Sequence, residues 1–431
     1  MKKISLSKMM VAVSLSVSML AGCSTGGAGT TASEQTTAND TAKSESQGTD
    51  SGTVVKIAVL FPLSGVGADN GKQNLNGCQL AVEHINAAGG IKALGGAKLE
   101  LVTGDLMSDT NQCKTVAERL MQDSSIVAAT GASASSYVLP MLPVFEKAKT
   151  PFVTAQVAPA ITNQGYQYVF ETTAMAPENG KVQVNFINYL NEQQGMGLKK
   201  IGIIYENTEY GQSNAKSAVE LAGNAGLEVV FNESFPAGIA DASALIANLK
   251  QSDAQVVIPS CYTQDAKTIF NTMKSMNYNP VIVGGGSGFL YPAFANELQD
   301  AVNGITSSAS GSWDTKSVQD NEAFKMVPEL YKEKYNEFMT EQALASYNII
   351  WIISQALETS GSTDKDVLRD TIRGMKIETM VVGGELAFDE TGYNTNAYSI
   401  INQWQKQEDG TYLPRTIFPE KAATAKYQKP E

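Results

Sequence analysis

The chain is poor in the residues that most active sites and metal sites require. It contains one histidine, His84, in 431 residues. A Ser-His-Asp or Cys-His arrangement would need this residue, yet it lies inside a predicted helix, away from any strand end. A metal site with several histidines is excluded. Carboxylate-pair hydrolysis stays open because acids are plentiful, but no spacing singles out a pair. The residues therefore argue against a histidine-based hydrolase, and we expect no metal site and no cofactor.

Cysteines are also few. Apart from Cys23, the chain has Cys78, Cys113 and Cys261, with no C-x-x-C spacing. This odd, scattered set does not indicate a zinc site or a disulfide framework. We expect buried thiols, and one Cys78–Cys113 bridge stays open as an alternative.

Long apolar runs and excess positive charge are missing as well. After residue 22 no segment approaches the roughly 18 apolar residues that a membrane span needs. The net charge is −12, which argues against nucleic acid, because phosphates would repel such a surface.

The motifs of nucleotide-binding proteins and hydrolases are incomplete. The loop SGVGADNG places Gly65, Gly67 and Gly71 one residue too far apart for a dinucleotide fingerprint. Lys72 is followed by Gln73, where a phosphate loop requires Ser or Thr. There is no G-x-S-x-G elbow; GGGSGF comes closest. The glycines of the first loop are better explained by close approach of the backbone to a ligand.

What the chain does have begins at its N-terminus. Lys2, Lys3 and Lys8 precede the apolar run 9–20, which ends in Leu-Ala-Gly before Cys23. This pattern predicts a lipoprotein signal peptide over 1–22, with Cys23 as the lipid-modified residue, and an uncleaved signal anchor as the alternative. Removal of three lysines would give a mature net charge of −15. We expect an extracytoplasmic protein that is lipid-anchored to the cell membrane, with the bilayer as a partner.

Residues 23–53 follow as a linker. From residue 24 onward they are Ser, Thr, Gly, Ala and polar residues without an aromatic or branched aliphatic side chain before Thr53. Such a segment cannot bury a core and is predicted to be disordered. Thirty flexible residues reach about 30 Å, which would hold a domain clear of the membrane.

From Val54 the pattern is α/β. Short β-rich runs such as KIAVLF and SIVAATG alternate with helical stretches, and the alternation restarts after Glu178. Two series of βα units predict two open, mostly parallel sheets with ligand loops at the carboxyl ends of their strands. We expect helices over 109–123, 135–149, 343–359 and 364–374, and a β-like stretch over 385–404.

One of these loops is rich in serine. GASASSYVLP places Ser133, Ser135 and Ser136 between a strand and a helix start. Free amides at a helix N-terminus together with hydroxyl donors suit a carboxylate. Ordinary N-capping by serine explains the same pattern, and both interpretations stay open.

The chain resembles the type I periplasmic binding proteins of the leucine/isoleucine/valine-binding branch, the receptors of ABC importers. The matching strings occur in family order: KIAVLFPLSG, NGCQLAVEHINAAGGI, LELVTGDLMSD, GASASS, PAITNQGYQYVFET, KKIGIIYENTEYG and LAFDETGY. The resemblance implies two Rossmann-like lobes joined by three hinge crossovers. The first lobe would be 54–174 plus 309–384, and the second 175–308 plus 385–431.

The resemblance also implies a ligand site between the lobes. Ser135 and its neighbour Ser136 match the carboxylate-binding loop, and Ala155 matches a backbone contact. Tyr210 and Tyr262 match tyrosines of the second lobe. Each tyrosine could instead be half-buried core.

Several positions depart from the family pattern. Val157 replaces a threonine, and Gly286, followed by Ser287, stands where the family has the glutamate that meets an ammonium group. Asp265 is a candidate replacement for that acid. Asn70 stands where an aromatic side chain can contact the ligand, which suggests a more polar ligand.

The resemblance implies a binding protein and not an enzyme. Such a protein would close on a small amino-acid-like or carboxylate ligand and deliver it to membrane permease subunits. The departures leave aromatic acids, amides and nucleosides open as ligands. A sensor with the same fold, a carboxylate-dependent secreted hydrolase and a structural surface lipoprotein are the alternatives.

Overall fold

A computed structural model describes residues 53–429, except for the side chain of Ser287. The predicted signal peptide, Cys23 and all but the last residue of the predicted linker lie outside these residues. Among the described residues, no helix is both long and apolar enough to cross a membrane.

The first sheet is parallel and has five strands in the order β2-β1-β3-β4-β5. The strands are β1 Val54–Phe61, β2 Lys98–Asp105, β3 Ile126–Gly131, β4 Phe152–Thr154 and β5 Val169–Glu171. The connecting helices are α1 Ala68–Ala87, α2 Thr110–Leu120, α3 Ser135–Val138 and α4 Leu142–Lys147. Strands β3, β4 and β5 are buried along their whole length, as expected for a parallel sheet covered on both faces.

The second sheet has seven strands in the order β12-β11-β10-β9-β8-β6-β7. The strands are β6 Lys200–Glu206, β7 Glu228–Phe235, β8 Val256–Ser260, β9 Val281–Gly284, β10 Thr306–Ala309, β11 Ile400–Lys406 and β12 Tyr412–Phe418. Pairing is parallel from β7 to β10 and antiparallel for β11 and β12. Its helices are α5 Ala176–Gln194, α6 Glu209–Asn224, α7 Ser243–Gln251, α8 Thr263–Ser275 and α9 Pro292–Leu298.

The chain then returns to the first sheet before it finishes in the second. After β10 come α10 Lys316–Gln319, α11 Val327–Tyr335, α12 Glu341–Ser360 and α13 Lys365–Gly374. The apolar side chains of α12 and α13 share one core with α1 and with strands of the first sheet. The segment after α13 leads to β11 in the second sheet. The polypeptide therefore passes between the two sheets three times, and the α/β class with two parallel-rich sheets is confirmed.

Two local expectations were wrong. The predicted helix over 135–149 is divided into α3 and α4, because Pro140 follows Leu139 and has no N–H to continue a helix. The predicted β-like stretch over 385–404 forms a strand only from Ile400; the residues before it make isolated bridges such as Glu378 with Glu385. Strand β12 was not predicted.

Cys78, Cys113 and Cys261 are free, buried thiols, as expected. Cys78 lies in the core between α1 and α12, whereas Cys113 lies in the core on α2. Burial raises the pKa of the Cys113 thiol to about 12, so it stays protonated at neutral pH.

Candidate functional site

The carboxyl ends of the parallel strands in both sheets meet in one region. The first sheet contributes the loop after β3 and the loop after β4, and helix α3 lies against α6 of the second. The second sheet contributes the end of β6 and the loops after β8 and β9. Ligands of open α/β sheets bind at such strand ends, so this region is the candidate site.

Ser135 is the first residue of α3 and is 1% exposed. Its Oγ accepts a hydrogen bond from the backbone N–H of Ala158 at 3.2 Å, which ties α3 to the loop after β4. Ser133 lies just before the helix, is buried, and its Oγ has no hydrogen-bond partner within the described residues. A buried hydroxyl without a partner is costly unless a ligand or water satisfies it. This loop therefore has unused hydrogen-bonding capacity.

Ala155 and Val157 lie in the loop after β4 and are both half-buried. The carbonyl of Ala155 accepts from Thr173 Oγ1 at 2.9 Å, and the carbonyl of Val157 accepts from the N–H of Ala176 at 2.7 Å. Residues 173 and 176 lie where the chain first leaves the first sheet. The loop that carries the predicted backbone contact is thus joined directly to the first crossover.

Tyr210 and Tyr262 lie side by side in the second lobe, with ring centroids 5.7 Å apart and ring planes inclined by 39°. The phenol of Tyr262 interacts with the backbone of Ser135 in the first lobe, and burial raises the pKa of this phenol well above its ordinary value. The hydroxyl of Tyr210 is buried and has no hydrogen-bond partner within residues 53–429. The two tyrosines place one phenol at the loop of Ser135 and leave the hydroxyl of the other without a partner among these residues.

Gly286 has a left-handed backbone with φ of +66°. A Cβ at this position would collide with the hydroxyl of Tyr210. The carbonyl of Gly286 accepts from Ser307 Oγ at 3.0 Å, which holds the turn in place. Gly286 therefore supplies no acid to the site, and a side chain at this position would have to displace the Tyr210 hydroxyl.

Asp265, the candidate replacement acid, is engaged elsewhere. Its two carboxylate oxygens accept hydrogen bonds from the N–H groups of Gly238 and Ile239 at 3.0 and 2.9 Å. The carboxylate thus fixes the loop that follows β7.

Sequence reasoning missed Glu206, the last residue of β6. Its side chain is 0% exposed, and Oε1 accepts from Thr208 Oγ1 at 2.7 Å. Burial raises the pKa of Glu206 from 4.5 to about 7, with the negative charge of Asp265 adding to the rise. The signal was available: an acid ends the buried run KIGIIYE, at a strand end where ligands bind.

Three predicted residues are less closely connected. Asn70 is half-buried near the start of α1, and Ser136 is half-buried in α3. In the described part of the chain, no hydrogen bond joins either side chain to the other predicted residues. Ser287 lies in a single 3₁₀ turn over 286–289, and only the backbone of this residue is described. The structure thus brings together Ser135, Tyr210, Tyr262 and Gly286 and connects Ala155 and Val157 to them through the loop before Ala158.

Nothing in the region resembles a metal centre. Across residues 53–429, no group of three or more His, Cys, Asp and Glu side chains is close enough to hold a metal ion.

Comparisons with known proteins agree on one family. A sequence model described as periplasmic binding protein matches residues 54–410. Leu/Ile/Val-binding protein homolog 8 of Brucella abortus is 31% identical over 382 residues, covering 86% of this chain and 92% of the relative. The substrate-binding protein LivJ of Streptococcus pneumoniae, a branched-chain amino acid transporter component solved in complex with isoleucine, superposes with a TM-score of 0.72 at 25% identity, over 85% of this chain and 100% of its own. A solute-binding protein of an ABC transporter from Rhodopseudomonas palustris, solved in complex with 3,4-dihydroxybenzoic acid, has the same fold, with a TM-score of 0.71 at 17% identity over 84% of this chain and 96% of its own.

Proposed function

Because the chain belongs to the periplasmic binding protein family, we propose that it is the solute-binding component of an ABC importer. It binds a small amino-acid-like or carboxylate ligand between its two lobes and delivers the ligand to permease subunits. The observation that carries the proposal is the contact between α3 of the first lobe, which begins at Ser135, and α6 of the second, which contains Tyr210. This contact brings strand ends of both sheets together at one place.

The chemistry of the region supports a small polar ligand. On the first lobe, the serine-rich loop at the start of α3 offers backbone N–H groups and the unpartnered hydroxyl of Ser133. On the second lobe, the hydroxyl of Tyr210 is buried without a partner. A carboxylate at the first lobe and a polar group at the second would satisfy these atoms. The isoleucine complex of the Streptococcus relative supports an amino acid as that ligand.

Closure follows from the two-lobe arrangement. The first lobe comprises 54–174 and 309–384, and the second 175–308 and 385–431. A ligand that contacts both lobes makes all its contacts only when they are together, so it shifts the population toward the closed form. The closed form is the state that permease subunits would recognise.

The N-terminal sequence supports attachment to the membrane. Cleavage before Cys23 and acylation of its thiol would leave the binding domain outside the cytoplasmic membrane, joined to the lipid through residues 24–53. With the surface predicted to be acidic, the lipid chains would be the main contact with the bilayer.

An aromatic acid is the second candidate ligand. Gly286 provides no acid for an ammonium group, and the Rhodopseudomonas relative was solved in complex with an aromatic acid. An amino acid and an aromatic acid both place a carboxylate on the serine-rich loop, and they differ in what they present to the second lobe. A protein that senses such a ligand for a membrane receptor would use the same site.

Calorimetric titration and thermal shift of the purified full chain test the proposal. The panel contains the twenty L-amino acids, their analogues without the amino group, and 3,4-dihydroxybenzoic acid. A ligand present at one hundred times its Kd stabilises the folded state by about 2.7 kcal/mol, which is readily measured. Ser135→Ala should weaken that ligand's binding without unfolding the protein. A panel in which no compound binds or stabilises would overturn the proposal.

A further inference from the structure

We infer that Glu206 binds the cationic end of the ligand, so that the ligand is a small zwitterion with an ammonium group. The inference rests on the proposed function and adds the chemical class of the ligand. It moves the acid of the second lobe from the loop after β9 to the end of β6.

The first argument is position. Glu206 is the last residue of β6, a central strand of the second sheet, and therefore lies at the edge where ligands bind. Its carboxyl group interacts electrostatically with Tyr210 and Tyr262, and with Tyr137 of α3 in the first lobe. A carboxyl group that interacts with side chains of both lobes lies near the boundary between the two lobes.

The second argument is the pattern of hydrogen bonds. Oε1 of Glu206 accepts from Thr208, whereas Oε2 is buried and has no partner within the described residues. The hydroxyl of Tyr210, which interacts electrostatically with this carboxyl group, is buried and unpartnered as well. A buried carboxylate without a counter-charge is costly, and an ammonium group has three N–H donors that could serve both oxygens.

The third argument is the lack of another acid in the second lobe at this place. Asp265 has both carboxylate oxygens on backbone N–H groups, and Gly286 has no room for a side chain. Glu341 approaches Tyr210 from the first lobe, but its Oε1 accepts from the N–H of Ser310 at 2.7 Å. Among the described residues of the second lobe, Glu206 has a buried carboxylate oxygen without a hydrogen-bond partner.

The test compares an amino acid with its analogue lacking the amino group. L-isoleucine and 3-methylpentanoate, and L-leucine and 4-methylpentanoate, share a side chain and a carboxylate and differ in the ammonium group. Binding of each, and of the full amino-acid panel, is measured by calorimetry on the full chain and on Glu206→Gln. Glu209→Gln is the matched control, because Glu209 is an exposed acid three residues along the same segment.

We expect Glu206→Gln to weaken binding of the best amino acid at least tenfold and binding of its analogue less than twofold. The control should change neither. Equal affinity of Glu206→Gln and wild type for that amino acid would overturn the inference and leave the proposed function intact. Binding of acids without an ammonium group, and of no amino acid, would do the same. If nothing in the panel binds, both fail.

A second measurement needs no variant of Glu206, so poor folding of Glu206→Gln cannot block the test. Because Glu206 must ionise to pair with an ammonium group, wild-type affinity for the amino acid should be at least tenfold weaker at pH 5.5 than at pH 8. The groups that act on Glu206 come from the elements around it: Tyr137, Tyr210, Cys261, Tyr262 and Asp265. Burial raises the pKa values of the phenols and the thiol further above this range. Burial also raises the pKa of the Asp265 carboxyl, against the effect of its two backbone N–H donors, so an Asp265→Asn variant measured at both pH values separates its contribution from that of Glu206. An affinity that does not change between the two pH values would overturn the inference.

Discussion

Replacing Glu206 by glutamine should stabilise the ligand-free protein at alkaline pH and leave it unchanged at acidic pH. Burial raises the pKa of this carboxyl from 4.5 to about 7 in the folded state. Between these two values the folded state binds more protons than the unfolded state, so the free energy of unfolding falls as the pH rises. Below pH 4.5 the carboxyl is protonated in both states. Above pH 7 it is ionised in both states, and the free energy of unfolding has fallen by the full amount.

The size of the effect follows from the shift. One pKa unit corresponds to about 1.4 kcal/mol, so a rise of this size makes the ionised side chain cost about 3 kcal/mol of stability above pH 7. Glutamine has nearly the same volume, carries no charge and keeps an oxygen that can accept from Thr208. We therefore expect Glu206→Gln to exceed the wild type by about 2–3 kcal/mol at pH 8 and to match it within about 0.5 kcal/mol near pH 4.5.

Urea unfolding of wild type and variant at both pH values, without ligand, measures this difference. Comparing the two proteins at each pH cancels the titration of all other groups. Glu209→Gln, at an exposed position, should show no difference at either pH. A variant that is less stable than wild type at pH 8, or equally shifted at both pH values, would refute the assignment of a buried, uncompensated charge to Glu206.

Three further predictions concern other positions. Gly286→Ala should destabilise the protein by about 1–3 kcal/mol more than Gly238→Ala in urea unfolding, because both have positive φ but only a Cβ at 286 meets Tyr210; equal losses would contradict the contact. Ser135→Ala should weaken binding of a carboxylate ligand by about 1–3 kcal/mol in calorimetry, and unchanged affinity would remove Ser135 from the site. Cys23→Ala should release the protein from membranes in cell fractionation, and retention of the variant would refute the lipid anchor.

Much of the fold follows from local sequence patterns. Runs such as KIGIIYE and SIVAATG are apolar enough to be strands covered on both faces, and Leu75, Cys78, Val82 and Ile85 recur with the period of a helix; these became β6, β3 and α1. Local rules fail where one residue outweighs its neighbours, as Pro140 does between α3 and α4. They fail also at β12, whose partner is an antiparallel strand that periodicity does not identify.

The candidate site could be predicted only in part. A strand end followed by a helix marks Ser135, Tyr210 and Tyr262, and the structure brings these residues together. Whether a carboxylate is used by the protein or left for a ligand depends on backbone N–H groups from distant loops. Glu206 ends a strand and Asp265 lies in the first turn of a helix, but the sequence does not show which carboxylate the protein uses itself. The loop at 238–239 satisfies Asp265, whereas Glu206 keeps an oxygen without a partner in the described part of the chain.

The buried charge of Glu206 that lowers the stability of the protein also affects the closure of the two lobes. A charge buried in the second lobe opposes folding and closure as long as it has no counter-charge. A cationic ligand removes this penalty and adds its own contacts, so the free energy that favours the closed form includes the penalty that the empty protein carries. A variant with a neutral residue at 206 would close almost as readily without ligand as with it. The difference in closure between the empty and the loaded protein would therefore shrink. Under the proposed function, an acid that makes the empty protein less stable would widen the difference between the loaded and the empty protein that a permease has to recognise.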